Sequence, residues 1–129
     1  MTRNQEIIES SNAPKAIGPY SAGVKIENLI YTSGQLGIDP KTNEIVEGDV
    51  EGETKQALLN MKSILQEAGS DLDCVIKTTV FLRDINDFGK MNAVYGEFFK
   101  DNPPARSAIQ VAALPKGAAV EIEAVAFVK

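Results

Sequence analysis

The 129-residue sequence contains no histidine and no tryptophan, and it has one cysteine, Cys74. Without histidine there can be no Ser-His-Asp triad, no Cys-His dyad and no His-ligated metal site. One thiol forms neither an internal disulfide nor a Cys-rich zinc site, so no metal centre is expected. Positive charge is also short, at 13 Lys+Arg against 18 Asp+Glu, a net charge of -5. An acidic chain without a basic run binds phosphate poorly, which argues against nucleic acid as the main ligand. No apolar run is long enough to span a bilayer, so no membrane partner is expected. Residues 1–6 lead into no long apolar stretch, so no secretory signal is expected. The cytoplasm, whose reducing conditions suit a lone thiol, is the expected location.

What is present is ordinary for a soluble globular protein: 43% hydrophobic and 24% charged residues. The length fits one domain over residues 1–129, able to bury about two-thirds of its unfolded surface.

The periodicities alternate between strand and helix. Residues 22–27 and 29–36 read as two strands of a hairpin around Glu27-Asn28. Asp39-Pro40-Lys41-Thr42-Asn43 is a turn cluster. Apolar or small residues then recur at Val50, Thr54, Ala57, Leu58, Met61, Ile64, Leu65 and Ala68, one face of a 3.6-residue period. Asp49 is the expected N-cap and Gly69 the expected C-terminal stop, with Glu53, Lys55, Asn60, Lys62 and Glu67 expected in water. Residues 74–82 are rich in β-branched residues and read as a strand. A second helix over 86–99 carries the stripe Phe88, Met91, Tyr95, Phe98 and Phe99, and Pro103-Pro104 cannot continue it. Residues 105–112 and 119–128 are the last strands, separated by Leu114-Pro115-Lys116-Gly117.

The order β-β-α-β-α-β-β, with room for one more short strand at the start, predicts an α+β fold. Two helices pack on one face of a mixed sheet. In the last strand Val120, Ile122, Ala124, Ala126 and Val128 point one way, and Glu121, Glu123, Val125 and Phe127 the other. Two helices cover one face only. The second face is mixed polar and apolar, so a further copy of the chain is expected to cover it.

Familiar ligand loops fail on inspection. Gly18-Pro19-Tyr20-Ser21-Ala22-Gly23 has phosphate-loop glycine spacing, but Val24 stands where the lysine is needed. Gly34-Gln35-Leu36-Gly37 is a lone GxxG in an acidic chain, weak as a nucleic-acid clamp. A carboxylate-and-guanidinium chemistry remains. Arg106 opens a strand, where it could hold a small carboxylate through paired hydrogen bonds or form a rim salt bridge. Glu121 lies on the mixed face, where partial burial would suit it to general acid-base work; a solvated strand residue is the bland alternative. Tyr20 follows a Gly-Pro turn that can aim its phenol into a cleft or into packing. Ser33 precedes Gly34 and could donate to a ligand near bare backbone. Asn92 lies one step off an apolar helical stripe.

Several ordered segments together carry a resemblance. These are Ala16-Ile17-Gly18-Pro19-Tyr20-Ser21, Thr32-Ser33-Gly34-Gln35, Lys77-Thr78-Thr79-Val80-Phe81 and Asn92-Ala93-Val94-Tyr95. Pro104-Ala105-Arg106-Ser107 through Leu114-Pro115-Lys116 to Val120-Glu121-Ile122-Glu123 completes the set. The chain resembles the RidA (YjgF-type) family of reactive-intermediate deaminases, nearly end to end. The resemblance implies a chorismate-mutase-like fold and a homotrimeric barrel with ligand pockets between subunits. It implies cofactor-independent hydrolysis of enamines and imines, such as 2-aminoacrylate and 2-aminocrotonate, to 2-keto acids and ammonia. These intermediates come from pyridoxal-phosphate-dependent dehydratases. By the same resemblance Arg106 is the carboxylate-binding arginine, and Glu121 positions or activates water. Tyr20, Ser33, Gly34 and Asn92 match pocket positions. Ala108 stands where many members carry cysteine, so only its backbone N–H could serve. The alternatives are a non-catalytic 2-keto-acid-binding regulator and an endoribonuclease or translation inhibitor.

Overall fold

Short alternating segments at the N-terminal end build an antiparallel meander. The structure is a computed structural model and describes residues 4–129; residues 1–3, the start of the segment read above for a leader, lie outside the described residues. Strand β1 (Gln5–Ile8) is the extra short strand expected near the start. It pairs with β2 (Gly23–Ile26), which turns through Glu27-Asn28 into β3 (Leu29–Thr32). The chain leaves the ladder at Ser33-Gly34, so the expected strand 29–36 is divided. Gln35–Leu36 (β4) resumes on a different neighbour. The turn cluster at 39–43 closes a small hairpin, β5 (Ile38–Asp39) with β6 (Glu44–Ile45), two strands too short to show a period of their own.

Helix α1 (Asp49–Glu67) buries the whole predicted stripe from Val50 to Ala68. Its C-terminus is as expected: Gly69, at φ 83°, donates to Gln66 O, and Ser70 N–H donates to Leu65 O at 2.9 Å. Its N-terminus is not. Gly48 holds the cap position with no side-chain cap, and Asp49 instead pairs with Arg83 at 3.3 Å. Two residues expected in water are buried. Glu53 accepts the Ala119 N–H at 2.8 Å, and Asn60 donates to Leu36 O and Ile38 O at 3.2 and 2.8 Å. Neighbouring backbone wraps the flank of α1, and these polar side chains supply the partners its buried groups need.

The remaining elements form a strand–helix–strand unit closed by a central strand. Strand β7 (Val75–Leu82) runs into a 3₁₀ turn at Ile85–Asp87, then α2 (Phe88–Phe98), then β8 (Ala105–Gln110), parallel to β7. Strand β9 (Val120–Phe127) lies between β3 and β7, antiparallel to both. The sheet order is β1-β2-β3-β9-β7-β8, with β4 also on β9. This is the expected α+β mixed sheet with two helices.

One face of β9 (Val120, Ile122, Ala124, Ala126) packs into a core with Ile30, Leu58, Met61, Val80 and Met91. The other face is open. Phe127 is 41% exposed, and Tyr31 and Ile109 are each 48% exposed.

Candidate active site

The predicted site residues fall into two groups. The first surrounds Glu121. Alternation along β9 turns its side chain to the open face, opposite Leu36 on β4 and Phe81 on β7. The carboxylate lies against Gly34, and a Cβ on that glycine would overlap it. The bare backbone of Gly34, where β3 gives way to β4, leaves the carboxylate this position. Partial burial pushes the Glu121 carboxyl above its ordinary value, and the nearby Glu123 carboxylate adds to the rise.

A cavity of about 570 Å³ opens beside it, lined by Tyr20, Ser33, Gly34, Glu121 and the apolar Ile17 and Leu36. Tyr20 is 53% exposed, and its hydroxyl accepts the Ile17 N–H at 3.3 Å. The Ser33 hydroxyl donates to Ala22 O at 3.2 Å and accepts from Gln35 Nε2 at 3.3 Å. Ala22 O also accepts the Ser33 N–H at 2.8 Å, so the hydroxyl can turn to donate to a ligand without leaving that carbonyl unpaired.

The second group surrounds Arg106 on β8. Arg106 pairs in register with Thr78 and Ala108 with Val80, so both side chains lie on the face that carries α2. The guanidinium donates from Nη1 to Asn92 Oδ1 at 2.7 Å. It lies over two ring faces, with Cζ 5.3 Å from the Phe88 centroid and 4.7 Å from that of Tyr95. Among the described residues it has no acidic partner. Within one chain this leaves a half-buried positive charge with unused donors. Ala108 supplies no side-chain polar group. The Val111 N–H bonds Leu82 O on β7 at 3.0 Å, so strand alternation points the Ala108 N–H away from β7, off the sheet edge.

One chain does not bring these groups together. Strand β7 separates β8 from β9, and Arg106 and Glu121 point to opposite faces. Phe88 and Tyr95 belong to the apolar stripe of α2 and also meet Arg106. Their steps of four and three around Asn92 put all three on one line of α2, and that spacing was the available signal.

The family model described as Endoribonuclease L-PSP matches residues 10–128. The chain belongs to this family, the YjgF/RidA family. Its human relative, named 2-iminobutanoate/2-iminopropanoate deaminase, is 55% identical over 123 residues, covering 95% of this chain and 90% of the relative. The crystal structure of the YjgF gene product of E. coli superposes with a TM-score of 0.92 at 46% identity, covering 96% and 99% of the two chains. E. coli TdcF, crystallised with bound serine, gives 0.91 at 44% identity, again covering 96% and 99%. In this RidA-family chain the mixed sheet and the two helices thus belong to a shared fold.

Proposed function

We infer that this protein is a 2-iminobutanoate/2-iminopropanoate deaminase, hydrolysing enamine and imine intermediates to 2-keto acids and ammonia. Identity above 50% to mammalian deaminases of that name, over nearly the whole chain, supports the reaction. The observation that carries the site is the Arg106 guanidinium, half-buried on two rings and with no acid to neutralise it among the described residues.

The site is built between copies of the chain. The β8 edge of one copy brings Arg106, Asn92 and the Ala108 N–H to the cavity of the next, which holds Glu121, Gly34, Ser33 and Tyr20. The unpaired β8 edge and the open apolar residues Tyr31, Ile109 and Phe127 are the surfaces such packing would bury. A closed ring of three copies completes every site identically, in line with the homotrimer implied by the resemblance.

In this arrangement Arg106 binds the substrate carboxylate. The enamine tautomerises to the imine, and water adds to the imine carbon. Glu121 takes the proton from the attacking water and returns it to nitrogen, and the carbinolamine collapses to the 2-keto acid and ammonia. A carboxyl raised above its usual range exchanges protons more readily near neutral pH than an ordinary glutamate. No strong nucleophile is needed, because an imine carbon is already electrophilic and positioning supplies the rate. Ala108 removes no required group, since the route uses no thiol.

No helix among the described residues is long and apolar enough to cross a membrane. We assign the protein to the cytoplasm, where its dehydratase-derived substrates arise.

The test is Arg106→Ala, assayed with 2-aminoacrylate made in situ by a dehydratase. The parent protein speeds pyruvate formation at substoichiometric concentration and the variant does not. A variant as fast as the parent removes Arg106 from the reaction. Keto-acid binding without turnover by the parent makes the protein a sensor instead.

A further inference from the structure

Phe88, Asn92 and Tyr95 form one line along α2, and all three meet the Arg106 side chain. The Tyr95 ring is itself fixed. Its hydroxyl shares a buried 2.7 Å hydrogen bond with Thr78 Oγ1, and its ring packs on Phe99 with centroids 4.7 Å apart. Thr78 is fully buried on β7 and is the register partner of Arg106. A closed circuit results: Arg106 rests on Tyr95, Tyr95 is tied to Thr78, and Thr78 lies beside Arg106 on the paired strand.

We propose that Tyr95, clamped by Thr78, and Phe88 are positioning residues that fix the plane of the Arg106 guanidinium and present its free edge to a carboxylate. The proposal rests on the reading of Arg106 as the carboxylate-binding group. Asn92 occupies one Nη1 donor and leaves the others for the ligand. The two rings attract the cation without neutralising it, as an acid would. Burial pushes the Tyr95 phenol above its ordinary value, so the platform stays uncharged. An arginine already held this way loses less side-chain freedom when a ligand arrives.

The experiment compares Tyr95→Leu, Tyr95→Phe and Phe88→Leu in the full-length protein. The first readout separates KM from kcat for 2-iminopropanoate generated in situ. The second is the Arg106 Nε–H signal in ¹⁵N NMR, which nearby ring faces shift. Tyr95→Leu and Phe88→Leu are expected to raise KM by about 3- to 30-fold, the size of a partly desolvated cation–ring contact. kcat should stay within about twofold, as for loss of uniform binding. Tyr95→Phe keeps the ring and recovers most of the effect. Because Arg106→Ala is expected to be inactive, affinity for the product pyruvate, followed by NMR titration, replaces KM in that background, and there Tyr95→Leu should add nothing to the loss of affinity, which a merely structural role would not predict. Multiplying losses in that background, or an unchanged KM with the Nε–H signal in place, would overturn the proposal. Should Tyr95→Leu fail to fold, half-buried Phe88 still carries both readouts. If Arg106→Ala turns over like the parent, the carboxylate role fails. The Nε–H signal then decides the rings separately: displaced in Phe88→Leu it upholds their positioning role, unmoved it ends it.

Discussion

The Glu121 carboxylate lies against Gly34, on the stretch where β3 ends and β4 begins, with no room between them for a methyl group. The acid of the proposed reaction and the bare backbone beside it thus form one unit. The glycine is set by contact with a side chain rather than by a left-handed backbone.

Gly34→Ala is therefore expected to fold and to lose activity. The atoms that must yield are the end of the Glu121 side chain, which can swing toward the cavity. Melting temperature should change little, whereas kcat/KM should fall by about 10- to 100-fold, the scale of a misplaced reacting group. A parent-like kcat/KM in the folded variant would show that Glu121 need not sit there.

The pH dependence has a definite sign. Glu53 and Glu121 both have carboxyls raised above their ordinary 4.5, chiefly by burial. The folded chain therefore keeps their protons to higher pH than the unfolded chain does. Each contributes stability that is fully present below 4.5 and lost as pH rises through its folded value. Glu121→Gln should flatten that fall, read as denaturation midpoints across pH 4 to 8. For activity, Glu123→Gln removes a like charge beside Glu121. The acidic limb of kcat/KM should move to lower pH, by part of the full rise only, because burial remains. A limb that stays in place, or moves up, would assign it to another group.

Much of the fold could be read in advance because its signals are local. The stripe from Val50 to Ala68, the Gly69 stop and the alternation of Val120 to Phe127 each follow from one element's own period. What could not be read depends on how elements meet. Glu53 and Asn60 looked wet because a helical period says nothing about the Ala119 amide or the Leu36 and Ile38 carbonyls that reach them. Ser33 bonds Ala22 O across the β2–β3 hairpin, a contact that its position before Gly34 does not announce. The site residues are legible mainly through the family resemblance. Their division between two faces follows from the sheet order, which places β7 between the strands of Arg106 and Glu121.

Glu53 offers a stability test that separates charge from hydrogen bonding. Glu53→Gln keeps an oxygen to accept the Ala119 N–H and removes a carboxylate that burial disfavours. It should be neutral or stabilising at pH 7. Glu53→Ala leaves that N–H unpaired and should cost about 1–3 kcal/mol. Thermal or urea unfolding of the two variants checks the order, and equal losses would contradict it.

Asn60 ties α1 to the segment that carries Gly34. Asn60→Ala strands the Leu36 and Ile38 carbonyls and should cost about 1–3 kcal/mol for each left unpaired. Asn60→Asp should be worse at neutral pH, because an acceptor then faces two acceptors. Loosening this segment also loosens the floor beneath Glu121, so kcat should fall in protein that remains folded. Loss of stability with intact kcat would confine Asn60 to the core.

The division of the site between two copies makes a sharper prediction. Arg106→Ala and Glu121→Ala are each expected to be inactive, because every site needs one residue from each of two neighbouring chains. Unfolding and refolding the two variants together in equal amounts should restore activity. A site works where a Glu121→Ala chain supplies Arg106 to a cavity whose Glu121 comes from an Arg106→Ala chain. Random assembly into closed rings makes about one quarter of the sites such pairings, so about one quarter of parent activity should return. Refolding either variant alone should return none. If the mixture also stays inactive while mixed oligomers are detected, Arg106 and Glu121 do not act across an interface, and the proposed site fails even though the fold stands.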